Sequence, residues 1–405
     1  MSGFAPTRLT LARHRRELTL RDLGDKVGCT AAAIGQFETG KRNPTQETLV
    51  RIALALDFPV AFFGGDDLDL LATTARADGP SSVASFRSLR SLSAKSQAKA
   101  LAGGVLITQL AKVVGSRVRT PLLELPDVDG ETPERAADIV RGAWRLGEGP
   151  IHNMVHLLES RGVKVFWMRN ECHEVDAFSF WRDGSPFVIL GNHKTPERSR
   201  RDAAHELAHL VLHRHGDVCG RQAEDEAERF ASQFLLPAAQ FMRECPIDPQ
   251  KTTLSALKRR WAVSRASIVR RAFDLGMMTE WQYRSECISI SQAGRTIEQD
   301  PIEREQSLVY SRVLPMFADA GIYLDDLAAE LTVTVDEVLN YIPVENPERW
   351  RTAAPQARVL AWAPRSPSSA RNADAPAGSQ TKEVVKFEQF LRPDAPHGMK
   401  LISRR

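Results

Sequence analysis

The chain has 405 residues, room for two or three domains, and its 42% hydrophobic and 26% charged content is that of a globular protein rather than a disordered or fibrous one. A net charge of +3 is too small to signal nucleic acid by itself, and no apolar run approaches the roughly 20 residues that span a bilayer, so no membrane partner is expected. Met1 to Arg16 is arginine-rich without the apolar core of a secretion signal, and the scattered Cys29, Cys172, Cys219, Cys245 and Cys287 form no Cys-x-x-Cys pair, so a reducing, cytoplasmic setting is expected.

The first elements, over 7–63, read as short helices separated by turn signals. Leu20, Leu23 and Val27 share one helical face, Gly28 allows a tight turn, and Thr30 can cap the next helix. Ile34 and Phe37, three apart, can pack back on the first helix. That leaves Ala31, Ala32, Gly35 and Gln36 facing outward, and small residues plus one amide suit a helix entering a major groove. Lys41 and Arg42 follow at the helix end, where they could meet phosphates. Thr45 starts a further helix with Leu49, Ile52, Ala53 and Leu56 inward.

The glycine turn, Ile34-x-x-Phe37-Glu38-x-Gly40-Lys41 and Asn43-Pro44 resemble the Xre/phage-repressor type of helix-turn-helix over about residues 7–63. The resemblance implies a double-stranded DNA operator, read at Ala31, Ala32 and Gln36. This chain lacks polar readers at Ala31 and Ala32, so reading would rest on Gln36, Thr30 and apolar contact with thymine methyls. One such unit covers one half-site, so a homodimer is expected.

From Asp66 to Pro80 the composition shifts to Asp, Ala, Thr and Gly, a linker signal. Residues 86–119 read as helical, and 132–162 as two helices broken around Gly147 to Pro150. Then the period changes. Val163 to Met168, Ala177 to Trp181 and Pro186 to Leu190 read as strands, with Asp183-Gly184 as the hairpin turn between the last two. Helices resume over 197–214 and 222–240, and 251–345 is helical with Gly and Pro breaks. From Pro364 the chain is rich in Pro, Ser, Ala and Asn and reads as a disordered tail, with Val384 to Leu391 as one ordered piece within it. The fold expected is α+β and mostly helical. It comprises a helix-turn-helix domain (1–65), a linker (66–85), a zincin-like domain with a small antiparallel sheet (86–245), a helical C-terminal domain (246–345) and a tail (346–405).

The chemistry concentrates in His205-Glu206-Leu207-Ala208-His209. Ala203, Ala204, Leu207, Leu210 and Val211 form one helical stripe, and His205 and His209 project together from the other face at i and i+4. Two imidazoles so placed can converge on one metal, and Glu206 beside them could take a proton from water. A third ligand is sought in Ala223 to Pro237, where Ala223, Ala227, Phe230, Ala231, Phe234 and Leu235 form the core stripe. Glu224 falls inside that stripe, and an inward carboxylate is costly unless paired or metal-bound, so it is the expected ligand. Glu226 and Glu228 lie on the margins. Glu228 is a candidate to orient an imidazole, and Glu226 reads as a bystander. Two His and one Glu leave a coordination position open, as in catalytic zinc sites.

These two helices resemble the ImmA/IrrE-type metallopeptidase family. The matching stretches are His205 to His209 and Glu224-x-Glu226-Ala227-x-x-Phe230-Ala231 through Leu235-Leu-Pro237. Gly149 to Asn153, Leu158 to Val163, Asp176 to Trp181 and Leu257 to Ser264 also look like its long subgroup fused to an Xre domain, so the likeness covers roughly residues 1–340. It implies Zn2+-dependent cleavage of a protein substrate such as a repressor, with Glu206 catalytic and His205, His209 and Glu224 holding the metal. Where the family commonly has Asn, this chain has Glu228. An edge strand from 176–181 or 186–190 could hold the substrate. The competing reading is a DNA-binding regulator whose peptidase-like half senses a ligand or mediates dimerisation without cleaving anything.

Other signals are bland. His213, Arg214 and His215 read as surface residues, and Cys219 as a buried thiol. Trp261 to Gly276 and Leu327 to Ile342 have the outline of further helix-turn-helix pairs and read as packing elements.

Overall fold

Four short helices open the chain in a computed structural model that describes residues 3–68, 93–169, 176–214, 220–294, 298 and 300–351. Most of the expected linker, Cys172, His215, Cys219 and the tail from Pro364 lie outside the described residues. The four helices are α1 (Pro6–Arg15), α2 (Leu20–Val27), α3 (Ala31–Glu38) and α4 (Gln46–Leu56). Thr19 and Asp22 close a reciprocal capping box on α2, and the hydroxyls of Thr30 and Thr45 accept the N–H groups that begin α3 and α4. Gly28 ends α2 at φ 68°, a left-handed conformation that lets α3 turn back across it.

Helix α5 (Ala94–Gly115) has the length and composition to cross a membrane, but 67% of its apolar window is buried inside the protein, where it serves as a core helix. Helices α6 (Pro133–Ala143) and α7 (Met154–Ser160) lead to a sheet of β1 (Lys164–Met168), β2 (Ala177–Arg182) and β3 (Ser185–Gly191). Strands β2 and β3 form a hairpin through Asp183 (φ 50°) and Gly184 (φ 70°), the two positive values a tight primed turn needs. The order is β1-β3-β2, and β1 runs parallel to β3, so the sheet is mixed where the sequence suggested antiparallel pairing. The reason lies in β3. Its apolar run from Phe187 to Leu190 is buried, the mark of a central strand, and the hairpin occupies only one of its edges. β1 takes the other.

Nine helices among the described residues follow. They are α8 (Pro196–Leu212), α9 (Arg221–Leu235), α10 (Ala238–Glu244), α11 (Lys251–Trp261), α12 (Arg265–Asp274), α13 (Glu280–Gln292), α14 (Leu308–Asp319), α15 (Leu324–Leu331) and α16 (Val335–Leu339). The expected helix over 222–240 is broken at Leu236-Pro237, because proline cannot continue the α9 hydrogen-bond ladder.

The sheet separates two buried clusters. Val165, Trp167, Ala177, Val188 and Leu190 face one that includes α6 to α12. Phe166, Met168, Phe178, Phe180, Phe187 and Ile189 face the other, which runs without a break through α5 and α14 to α16 into the four N-terminal helices. This is the alternation of a strand covered on both faces. Charge reinforces the second contact. Arg15 of α1, wholly buried, donates through Nε to the Glu337 carboxylate of α16 and to the Tyr341 hydroxyl at 2.8 Å, and Arg16 Nη1 reaches Glu337 at 3.0 Å. The turns from α11 to α12 and from α15 to α16 repeat the α2–α3 design. A left-handed residue (Ala262, Thr332) is followed two positions on by a capping Ser264 or Thr334.

Candidate functional site

Helix α8 starts at Thr195, whose hydroxyl caps it, with Pro196 at its first position. Ala203, Ala204, Leu207, Ala208 and Leu210 are fully buried against the sheet and neighbouring helices, which fixes the rotation of α8. His205 and His209 are thereby turned to α9, itself seated by Ala223, Ala227, Phe230 and Phe234. Nε2 of His205 lies 3.1 Å from Nε2 of His209 and 3.2 Å from Oε2 of Glu224, and Oε1 of Glu224 lies 3.5 Å from Nε2 of His209. The expected trio is therefore brought together. Glu224 stands at the lip of the site, its side chain 37% exposed, rather than deep in the apolar stripe.

The donors suit a small tetrahedral cation. Bonds of about 2.0–2.1 Å to N and O ligands imply donor separations of about 3.3 Å, close to the 3.1 Å between the two imidazole nitrogens and the 3.2 Å from His205 to Oε2 of Glu224. Oε1 of Glu224 is buried and accepts no hydrogen bond, an arrangement that costs free energy unless a cation faces it. Two nitrogens and one carboxylate oxygen make the donor set of a zinc site with a position left over.

Glu206, next to His205 on α8, reaches the sheet. It is 1% exposed, and the hydroxyl of Ser179 on β2 donates to its Oε2 at 2.6 Å. Ser179 reaches α8 because it alternates with Phe178 and Phe180, which face the opposite cluster. Burial pushes the Glu206 carboxyl up to about 7, with Glu224 and Asp202 adding negative charge nearby and His205 opposing.

The surroundings of the imidazoles hold the residues that sequence reasoning misjudged. Glu228 does approach Nδ1 of His205, at 3.6 Å, and is itself paired with Arg201. His213, expected at the surface, is 3% exposed, with Nδ1 facing Nδ1 of His209 at 3.0 Å. Glu226, expected to be a bystander, meets Nε2 of His213 at 2.9 Å, and Gln222 holds its other oxygen at 2.9 Å. The available signal was spacing: His213 is one helical turn beyond His209, as His209 is beyond His205. Arg214 lies over the ring of Trp181, 4.4 Å from its centroid. β3 is the central strand, so among the described residues β2, not β3, lies at the margin of the sheet.

At the other end of the molecule, Ile34 and Phe37 bury one side of α3, while Thr30, Ala32, Gln36, Lys41 and Arg42 are exposed and Ala31 is partly so. The Thr30 hydroxyl is engaged in capping, accepting from Ala33 N at 3.1 Å. The Arg42 guanidinium lies 6.0 Å from the Phe37 ring centroid, and Lys41 projects beside it.

Comparison with known families agrees with both halves. The helix-turn-helix family matches residues 11–63, and the IrrE N-terminal-like domain, a peptidase family, matches residues 158–273. The second range contains β1 to β3, α8 and α9, and so the whole His–Glu cluster. No curated protein matches the chain. The chain thus carries one stretch similar to helix-turn-helix domains and another similar to the IrrE N-terminal-like domain.

Proposed function

We propose that this protein is a sequence-specific DNA-binding regulator with a zinc-dependent endopeptidase site, acting on a regulatory protein. The observation that carries the reading is the meeting of His205, His209 and Glu224 at donor distances suited to zinc, with Glu206 on the same helix. When bound, zinc would polarise a peptide carbonyl and acidify a water molecule. Glu206, a buried carboxyl on the helix that carries both imidazoles, is the proton acceptor and then the donor to the departing amine. Ser179 holds one Glu206 oxygen, leaving the other to exchange the proton. An extended substrate backbone would pair along β2, the outer strand of the described sheet and the one packed on α8. Thr30, Ala31, Ala32 and Gln36 face the bases, and Lys41 and Arg42 the phosphates.

By sequence the domain division is a helix-turn-helix unit to residue 65, a peptidase unit over 86–245 and a helical unit over 246–345, but α11 and α12 share the core of the second and α14 to α16 that of the first. The second copy of a homodimer would cover the other half-site. One observation favours the non-cleaving alternative. Glu206 is nearly sealed from solvent and bonded inward to Ser179, as a structural carboxyl would be.

Glu206→Gln separates the two readings. Zinc content, expected near one per chain, should persist, while cleavage of a candidate repressor should fall about 10²-fold or more. His205→Ala, His209→Ala and Glu224→Ala should each lose most of the zinc. If Glu206→Gln leaves both cleavage and the regulatory output untouched, the peptidase reading gives way to the sensor.

A further inference from the structure

The hydrolysis proposed above uses neither His213 nor Glu226, yet both are placed in series behind one ligand. His209 turns Nε2 toward His205 and Glu224. A cation held there takes that nitrogen, so the ring's remaining proton sits on Nδ1. Nδ1 of His209 faces Nδ1 of His213 at 3.0 Å, and only one of these two nitrogens can carry the proton between them. His209 supplies it, so His213 accepts at Nδ1 and carries its own proton on Nε2. That proton points at Oε2 of Glu226, 2.9 Å away. Gln222 donates to the other Glu226 oxygen and fixes the carboxylate.

We propose that Glu226 and His213 are positioning residues forming a two-step relay that locks His209 in the Nδ1–H tautomer and so sets the zinc affinity of the site. The proposal rests on the metal reading above. It assigns different support to the two imidazoles. His205 has the partly exposed carboxylate of Glu228 at 3.6 Å, shared with Arg201. His209 is 1% exposed and is served through a second buried ring. A carboxylate at the end of such a chain raises the electron density on the ligating nitrogen, and loss of such outer partners weakens metal binding about 10–100-fold. Because Glu226 acts only through His213, the two should not contribute independently.

The test is zinc affinity of the full chain, measured by competition with a chromophoric chelator. Glu226→Gln should weaken binding about 10-fold or more. In the His213→Ala background the same change should add nothing, whereas Glu228→Gln, which serves the other imidazole, should add its own full effect. Thermal midpoints of the metal-free variants separate loss of affinity from loss of fold. Long-range imidazole nitrogen NMR of the zinc-loaded wild type should find His209 protonated at Nδ1 and His213 at Nε2. Should His213→Ala fail to fold, the Glu226→Gln affinity and the nitrogen spectrum still decide the matter. Wild-type affinity in Glu226→Gln, additive losses in the double variant, or a His213 proton on Nδ1 each overturns the relay. In those cases zinc loss in His205→Ala leaves the metal reading standing. A wild type that binds no zinc removes both.

Discussion

Glu337→Ala tests how firmly the DNA-reading helices are tied to the C-terminal ones. Glu337 is 2% exposed and accepts from Arg15, Arg16 and Tyr341, and Arg15 is 0% exposed. Removing the carboxylate takes the Glu337 charge away from a buried guanidinium, and breaking one side of a buried pair costs about 3–5 kcal/mol. That is roughly a thousand-fold in the unfolding equilibrium. The exposed pair Arg284–Glu280 is the comparison: Glu280→Ala should cost about 0–1 kcal/mol. Replacing both partners, Arg15→Met with Glu337→Met, should recover much of the loss, because the strain comes from the orphaned charge rather than from missing attraction. Burial opposes ionisation of Glu337, but Arg15 and Arg16 outweigh it and hold the carboxyl below its usual 4.5. A depressed folded-state value stabilises above the unfolded value and is lost as pH falls through the folded one, so wild type and Glu337→Ala should converge in acid. Urea unfolding of the full chain, followed by circular dichroism, reads all of this. A Glu337→Ala cost no larger than that of Glu280→Ala would refute the reasoning.

Changing Lys41 and Arg42 together to Ala should weaken DNA binding evenly across sequences and lower the log–log salt slope by about 2, whereas Gln36→Ala should relax preference at one base position; anisotropy titrations at several salt concentrations check both. Burial raises the Glu159 carboxyl from 4.5 to about 7, despite donors from Ser307, Leu308 and Val309. The folded state then binds the extra proton, so its stability falls as pH rises between those values and stays lower above, by on the order of 3 kcal/mol. Glu206 titrates over the same window, so Glu159→Gln should reduce that slope, by about half, in urea midpoints of the metal-free chain measured from pH 5 to pH 8; an unchanged slope would show that Glu159 does not contribute to it.

The parts of the fold that could be read in advance are those encoded locally. Caps at Thr19, Thr30 and Thr45, the apolar spacing of α2 and α3, and two imidazoles one turn apart all lie within a few residues of one another. Glu224 came from the same argument applied to α9, and the structure sets it beside His205 and His209, at the lip of the site rather than deep in the stripe. What stayed hidden depends on contacts between distant residues. Arg15 and Glu337 are separated by more than three hundred positions, and neither lies in a pattern that marks it as buried. The parallel placement of β1 depends on which edge of β3 the hairpin leaves, a property of the assembled sheet. His213 was passed over because a histidine near a helix end is ordinarily solvated, whereas the packing of α9 on α8 sets it between His209 and Glu226.

The alternation along β2 has a consequence for which sequence changes the protein can absorb. Phe178, Ser179 and Phe180 serve opposite clients: two rings for the cluster that holds the DNA-reading helices, one hydroxyl for Glu206. Deleting or inserting a single residue before Ser179 would exchange them, pressing a phenyl ring against a carboxylate and leaving a hydroxyl among phenylalanines. The same change at the solvent-exposed tip, Asp183-Gly184, would alter the length of a loop. A six-residue strand therefore carries a joint veto, since an indel there injures the helix-turn-helix half and the IrrE-like half in one stroke.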